Sequence, residues 1–76
     1  MAPRRSKQPP YLVIAADLRN KILSGELAPG DQVPSMAELA EQYSVTRGTA
    51  LRALKVLKEE GLTEASPGWG TFVSDR

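Results

Sequence analysis

Residues 45–54, VTRGTALRAL, mix two kinds of position that seldom share a purely structural helix. Val45, Ala50, Ala53, Leu54 and, just beyond, Leu57 recur at helical spacing and line one apolar stripe. Arg47, Gly48 and Arg52 fall elsewhere. Thr46 is placed as an N-cap, since its hydroxyl can accept from one of the unpaired first N–H groups of a helix. Val45 before it can staple onto Ala50. The helix is expected to run to about Glu60 and to stop at Gly61. At about 100° per residue, Gly48, Arg52 and Lys55 lie roughly opposite the stripe, with Arg47 and Lys58 on its flank.

Upstream, Ser35 followed by Glu38 is a capping box, and Met36, Leu39, Ala40 and Tyr43 supply an apolar face. This shorter helix should end near Tyr43 or Ser44. Two short helices joined by the tight Tyr43-Ser44-Val45 connection are a helix-turn-helix in outline, at about residues 36–55. Before it, a helix starting at Pro10 or Tyr11 carries Ile14, Leu18 and Ile22 at four-residue spacing, with Ala15 beside them, and stops at Gly25. Ala28-Pro29-Gly30-Asp31 matches a type II turn. Gln32-Val33 is then a short extended piece, held so by Pro34.

Downstream, Leu62–Ser66 and Thr71–Ser74 read as two strands, with the glycine-rich Pro67-Gly-Trp-Gly70 between them. This hairpin, at about 62–74, adds a wing. The expected fold is mainly α with a small β-hairpin (α+β), a winged helix-turn-helix over residues 11–76, ordered helix, short strand, helix, helix, two-stranded wing. Residues 1–10, rich in Pro, Arg, Lys, Ser and Gln, hold almost nothing to bury and are expected to form a flexible basic arm.

Composition narrows the function. Seventy-six residues, 41% apolar and 25% charged, suit one small domain. With no cysteine and no histidine, thiolate metal sites, the commonest general base and the commonest metal ligand are missing, so no catalytic residue, metal or cofactor is expected. The run Tyr11–Ala16 is too short to span a bilayer and is interrupted by Asp17 and Arg19. A soluble, cytoplasmic, nucleoid-associated protein is expected. The net charge of +1 says little, but its distribution says more. Arg4, Arg5 and Lys7 crowd the amino terminus, and Arg47, Arg52, Lys55 and Lys58 crowd one helix with no carboxylate before Glu59. In helix-turn-helix proteins the first residues of the second helix meet base edges in the major groove. Arginine is shaped for bidentate contact with guanine, and a glycine there lets backbone approach a phosphate.

The stretch LAPGDQVPSMAELAEQYSVTRGTALRALKVLKEEGL, followed by GWGTFV, resembles the amino-terminal domain of GntR-type bacterial transcription regulators. The resemblance covers residues 11–73 and rests on the set Pro-Gly-Asp, Pro-Ser, Glu-Leu-Ala, Val-Thr-Arg, Glu-Gly-Leu and Gly-x-Gly-Thr-Phe-Val. It implies sequence-specific binding of double-stranded DNA, mostly as a repressor, with the second helix of the motif in the major groove and the wing on backbone or minor groove. Arg47, Thr49, Gly68 and Gly70 match the family pattern directly. Two positions depart from it: Ala37 and Leu51 stand where the family carries DNA-contacting arginines, and Arg52 falls one place later, as in HutC-like members. The candidate DNA-contacting set is Ser35, Thr46, Arg47, Gly48, Thr49, Arg52, Lys55, Gly68, Trp69, Gly70 and Thr71, with Arg4, Arg5 and Lys7 as arm contacts. The family's larger effector-binding and dimer-forming domain is expected to be absent from this chain. The expected partner is therefore a palindromic operator, bound by a chain that is monomeric when free and paired on DNA.

Each assignment has a plainer alternative. Arg47 could be a solvated helix-start arginine, and Lys55 and Lys58 part of an ordinary charged face with Glu59 and Glu60. Gly48 could be a tolerated weak spot, costing about 1 kcal/mol of helix propensity against alanine. Trp69 either packs down on the hairpin or third helix, or meets a sugar-phosphate edge. Tyr11, Tyr43 and Phe72 are expected in the core. The same fold could also serve as a protein-interaction module that binds no nucleic acid.

Overall fold

The computed structural model describes residues 8–75, so Arg4, Arg5 and Lys7 of the expected arm lie outside the described residues. Three helices come first: α1 (Pro10–Ser24), α2 (Met36–Tyr43) and α3 (Arg47–Glu59). An antiparallel hairpin of β1 (Thr63–Ser66) and β2 (Gly70–Val73) follows. The strand bounds differ from expectation by one residue, Leu62 and Ser74 lying just outside and Gly70 just inside.

Local chemistry sets the boundaries. Pro9 and Pro10 open α1, where a missing N–H costs nothing, and Leu12 N–H already bonds Pro9 O at 3.0 Å. The Ala28–Asp31 turn closes with Asp31 N–H on Ala28 O at 2.9 Å, and Gly30 takes φ 90°, which a side chain would resist. The capping box of α2 is complete. Ser35 Oγ accepts from Glu38 N–H at 3.1 Å, while Ser35 N–H donates to Glu38 Oε1 at 2.8 Å. At its far end Ser44 adopts φ 56°, and Val45 N–H reaches back to Ala40 O at 3.0 Å. That left-handed residue reverses the chain within one turn and delivers Thr46 as the cap of α3.

The core gathers one face of each element. Ile14, Ala15 and Leu18 come from α1, Leu39 from α2, and Ala50, Ala53, Leu54 and Leu57 from α3. Val33 and Val73 close it from the wing side. Tyr11 and Tyr43 pack against this core half-buried, and Val45 joins them, as the staple requires. Phe72 does not. The register pairs Thr63 with Val73 and Ala65 with Thr71, so alternation turns these four toward α3 and puts Phe72 on the other face with Glu64. Phe72 is half-buried there, outside the core cluster, beside Gln32.

The extended Asp31–Val33 piece pairs with the free edge of β2. Val33 N–H donates to Thr71 O and Val73 N–H to Asp31 O, both at 2.8 Å. This pairing covers an otherwise open strand edge and ties the wing to the body. Side chains add two further ties. Tyr43 Oη donates to Asp17, joining α2 to α1. Arg19 grips the Glu60 carboxylate through Nε at 2.8 Å and a terminal nitrogen at 2.7 Å, joining α1 to the end of α3. Thr63 Oγ1 is buried with no hydrogen-bond partner among the described residues. No helix among them is long and apolar enough to cross a membrane, and no cluster of metal-binding side chains occurs.

Candidate nucleic-acid interface

The outward face of α3 begins at its cap. Thr46 Oγ1 accepts from Thr49 N–H at 3.2 Å and donates to Thr49 Oγ1 at 3.1 Å, so both threonines are committed to holding the helix start. The next two residues, Arg47 and Gly48, are exposed. A Cβ at Gly48 would meet only Thr46 Oγ1, at 3.9 Å, so the fold itself leaves room for a larger residue there. Lys55 and Lys58 continue the exposed side about two and three turns further along. The Arg19–Glu60 pair is the only ion pair among the described residues, so the four cations of α3 carry no carboxylate partner.

Arg52 is exposed as expected but is not free of the body. Its guanidinium carbon stands 4.7 Å from the centroid of the Tyr11 ring on α1, a cation–π contact that fixes its direction. Arg52 therefore spans two roles, bracing α1 and presenting charge. Ser35 is exposed at the start of α2, with its hydroxyl used by the capping box.

The wing tip is a tight turn, Ser66 to Trp69, closed by Trp69 N–H on Ser66 O at 2.9 Å. Gly68 at φ 82° fills the turn position that needs a left-handed backbone. Trp69 is 78% exposed, so its ring stands off the hairpin and off α3. Gln32 Nε2 donates to Trp69 O at 3.3 Å from the paired Asp31–Val33 piece and steadies the tip. Gly70 lies against the same amide, since a Cβ there would come within 2.7 Å of Gln32 Nε2. Thr71 is half-buried and faces inward. With Thr63 and Ala65 it forms one wall of a groove of about 360 Å³ whose other wall is Leu51, Leu54, Lys55 and Lys58.

Of the expected residues, Lys55 of α3 and Thr71 of the wing face one another across that groove, whereas Arg52 leans on α1 and Ser35 stands at the start of α2. Sequence reasoning missed two participants. Gln32 had no local signal, because its role depends on a pairing with residues about forty positions away. Leu51, 46% exposed beside Arg47 and Lys55, was legible only as a departure from the family pattern.

Residues 10–73 match the bacterial regulatory proteins of the gntR family. The chain belongs to that family. Among its GntR relatives, the histidine utilization repressor of Klebsiella aerogenes is 41% identical over 73 residues, covering 96% of this chain and 30% of the relative. The HTH-type transcriptional repressor NagR of Bacillus subtilis is 42% identical over 71 residues, covering 93% and 29%. The chain therefore spans under a third of the length of these two relatives. A crystal structure of the AraR DNA-binding domain in complex with operator ORR3 superposes with a TM-score of 0.87 at 30% identity, covering 93% of this chain and 86% of that one. In this GntR domain α2 and α3 are the helix-turn-helix, and β1 and β2 are the wing.

Proposed function

We propose that this domain binds double-stranded DNA sequence-specifically as the operator-reading part of a bacterial transcription regulator, a repressor. One observation carries the reading: four cations without a carboxylate partner among the described residues lie along α3, two of them, Lys55 and Lys58, bordering the groove against a wing whose tip residue Trp69 is exposed. The similarity to AraR, solved on its operator, supports it.

In this reading α3 lies in the major groove. Arg47, at its first turn, offers two parallel N–H donors to O6 and N7 of a guanine. The uncapped N–H groups of the same turn and the positive end of the helix dipole take a phosphate, and Gly48 permits close approach. Thr46 and Thr49 hold that turn rigid. Ser35 does the same for α2, which crosses the backbone. Arg52 and Lys55 meet phosphates. Gly68, Trp69 and Gly70 set the wing tip against the sugar-phosphate edge, while Thr71 faces the groove behind it. The chemistry is binding alone, with neither catalysis nor a cofactor, and the setting is the cytoplasm.

Selection of bound sequences from a random duplex pool, followed by affinity measurement at several salt concentrations, tests this. The expected outcome is one enriched motif and a log–log salt slope well below zero, since each neutralised phosphate releases counterions. Arg47→Ala should cost about 1–3 kcal/mol on the enriched site and relax the preference at one base pair. A pool that enriches nothing, with a flat salt response, would leave the domain a protein-interaction module instead.

A further inference from the structure

We propose that Leu51 is a specificity-determining residue that reads the 5-methyl group of a thymine, one or two base pairs from the guanine read by Arg47. The inference rests on the DNA-binding reading above and adds to it the identity of a base. Leu51 is 46% exposed in the middle of a basic stripe, four residues after Arg47 and four before Lys55, so all three share one side of α3. The apolar stripe of the helix is complete without it, since Ala50, Ala53, Leu54 and Leu57 fill the core. Its inner edge rests on the groove wall beside Leu54, facing Thr71 across the gap, and this support limits where the side chain can point.

The chemistry of the major groove then selects the partner. A leucine offers no donor or acceptor. Pressed against guanine it would strip water from N7 and O6 without replacing those hydrogen bonds, and against cytosine it would do the same to the N4 donor. Thymine alone among the four bases presents an apolar group on that edge. One turn of α-helix rises about 5.4 Å, against about 3.4 Å per base pair, which places Leu51 one or two base pairs from the guanine under Arg47.

The test uses chemically altered DNA, so the wild-type protein is itself the probe. In the motif selected from the duplex pool, each thymine is replaced singly by uracil, which keeps pairing and removes only the methyl group. Uracil at one position should weaken binding about fourfold, equivalent to the ~0.8 kcal/mol of one buried methyl-sized group. Leu51→Ala should bind thymine and uracil duplexes alike at that position, and 5-methylcytosine should bind the wild type better than cytosine there. Leu51→Arg should move the preference at the same base pair from thymine toward guanine. If wild-type protein binds its selected duplex yet no uracil matters, or if the uracil effect persists in Leu51→Ala, the inference is overturned while DNA binding stands. A pool that enriches no sequence overturns both.

Discussion

Gly48 shows how a single residue can be weighed between fold and function. Nothing in the fold needs a glycine there: it is exposed in the first turn of α3, and a Cβ would meet only one atom, at 3.9 Å. Its helix cost against alanine is up to about 1 kcal/mol. Gly48→Ala is therefore expected to raise the thermal midpoint of the free domain and, on the proposed reading that the backbone here approaches a phosphate, to weaken DNA binding. A variant that is more stable and binds equally well would remove Gly48 from the interface. Thr63 is the opposite case, a residue whose cost is structural and which lies at the inner wall of the groove between α3 and the wing. Its hydroxyl is buried without a partner among the described residues, and such a group costs about 1–3 kcal/mol. Thr63→Val keeps the shape and the strand preference, and should raise the unfolding free energy by about 1 kcal/mol, read as a higher denaturant midpoint with unchanged slope.

Between elements, contacts across the core are supplemented by a few polar ties whose ionisation can be followed. Burial, and then the hydrogen bond to Asp17, push the Tyr43 hydroxyl up to about 12. The folded state thus holds this proton more tightly than the unfolded chain does. The stabilisation it carries is complete below pH 10 and is lost as pH rises from about 10 to about 12. Tyr43→Phe should flatten that alkaline fall in stability, as read from unfolding curves collected across the range. An identical fall in both proteins would place the sensitive group elsewhere. The Arg19–Glu60 pair acts in the other direction. The hydrogen bond from Arg19 holds the Glu60 carboxyl below its usual range, so its contribution is present at neutral pH and fades on acidification. Both side chains are about a third exposed, so solvent keeps that contribution small.

At the scale of the whole molecule, one core claims nearly every apolar residue. Among the described residues, the large apolar side chains left exposed are Val13, Leu23, Leu51 and Trp69, which lie on α1, α3 and the wing tip. A stable protein–protein interface needs about 800 Å² from each partner, more than such scattered residues supply. The free chain is expected to sediment as a monomer at micromolar concentration, and a stable dimer would show that a face described as solvated is an interface. Two copies should meet on a palindrome only weakly. Fusing a dimerising domain after Arg76 should raise apparent affinity for a two-site duplex by at least about 10²-fold, through effective concentration alone.

What the sequence by itself determined lies within a few residues of its cause. The Ser35–Glu38 box, the Thr46 cap, the Pro29-Gly30 turn and the stops at Gly25 and Gly61 depend on hydrogen bonds reaching three to five positions along the chain. The stripe of α3 follows from helical periodicity, and with it the outward position of Arg47, Gly48 and Lys55. Tertiary structure decided whatever depends on which surface meets which. Alternation says that Phe72 and Val73 face opposite ways, but only docking of the hairpin on α3 chose Val73 for the core. The extended Gln32-Val33 piece was legible, yet the pairing of Asp31–Val33 with β2 and the grip of Gln32 on the wing tip join residues 37 to 42 positions apart. Arg52 could be placed on the outward side of its helix, but its stack on Tyr11 required α1 to lie alongside. Leu51 became a candidate base-reader for the same reason: a helical wheel gives its direction, whereas its exposure above a groove exists only once the wing has folded back against α3.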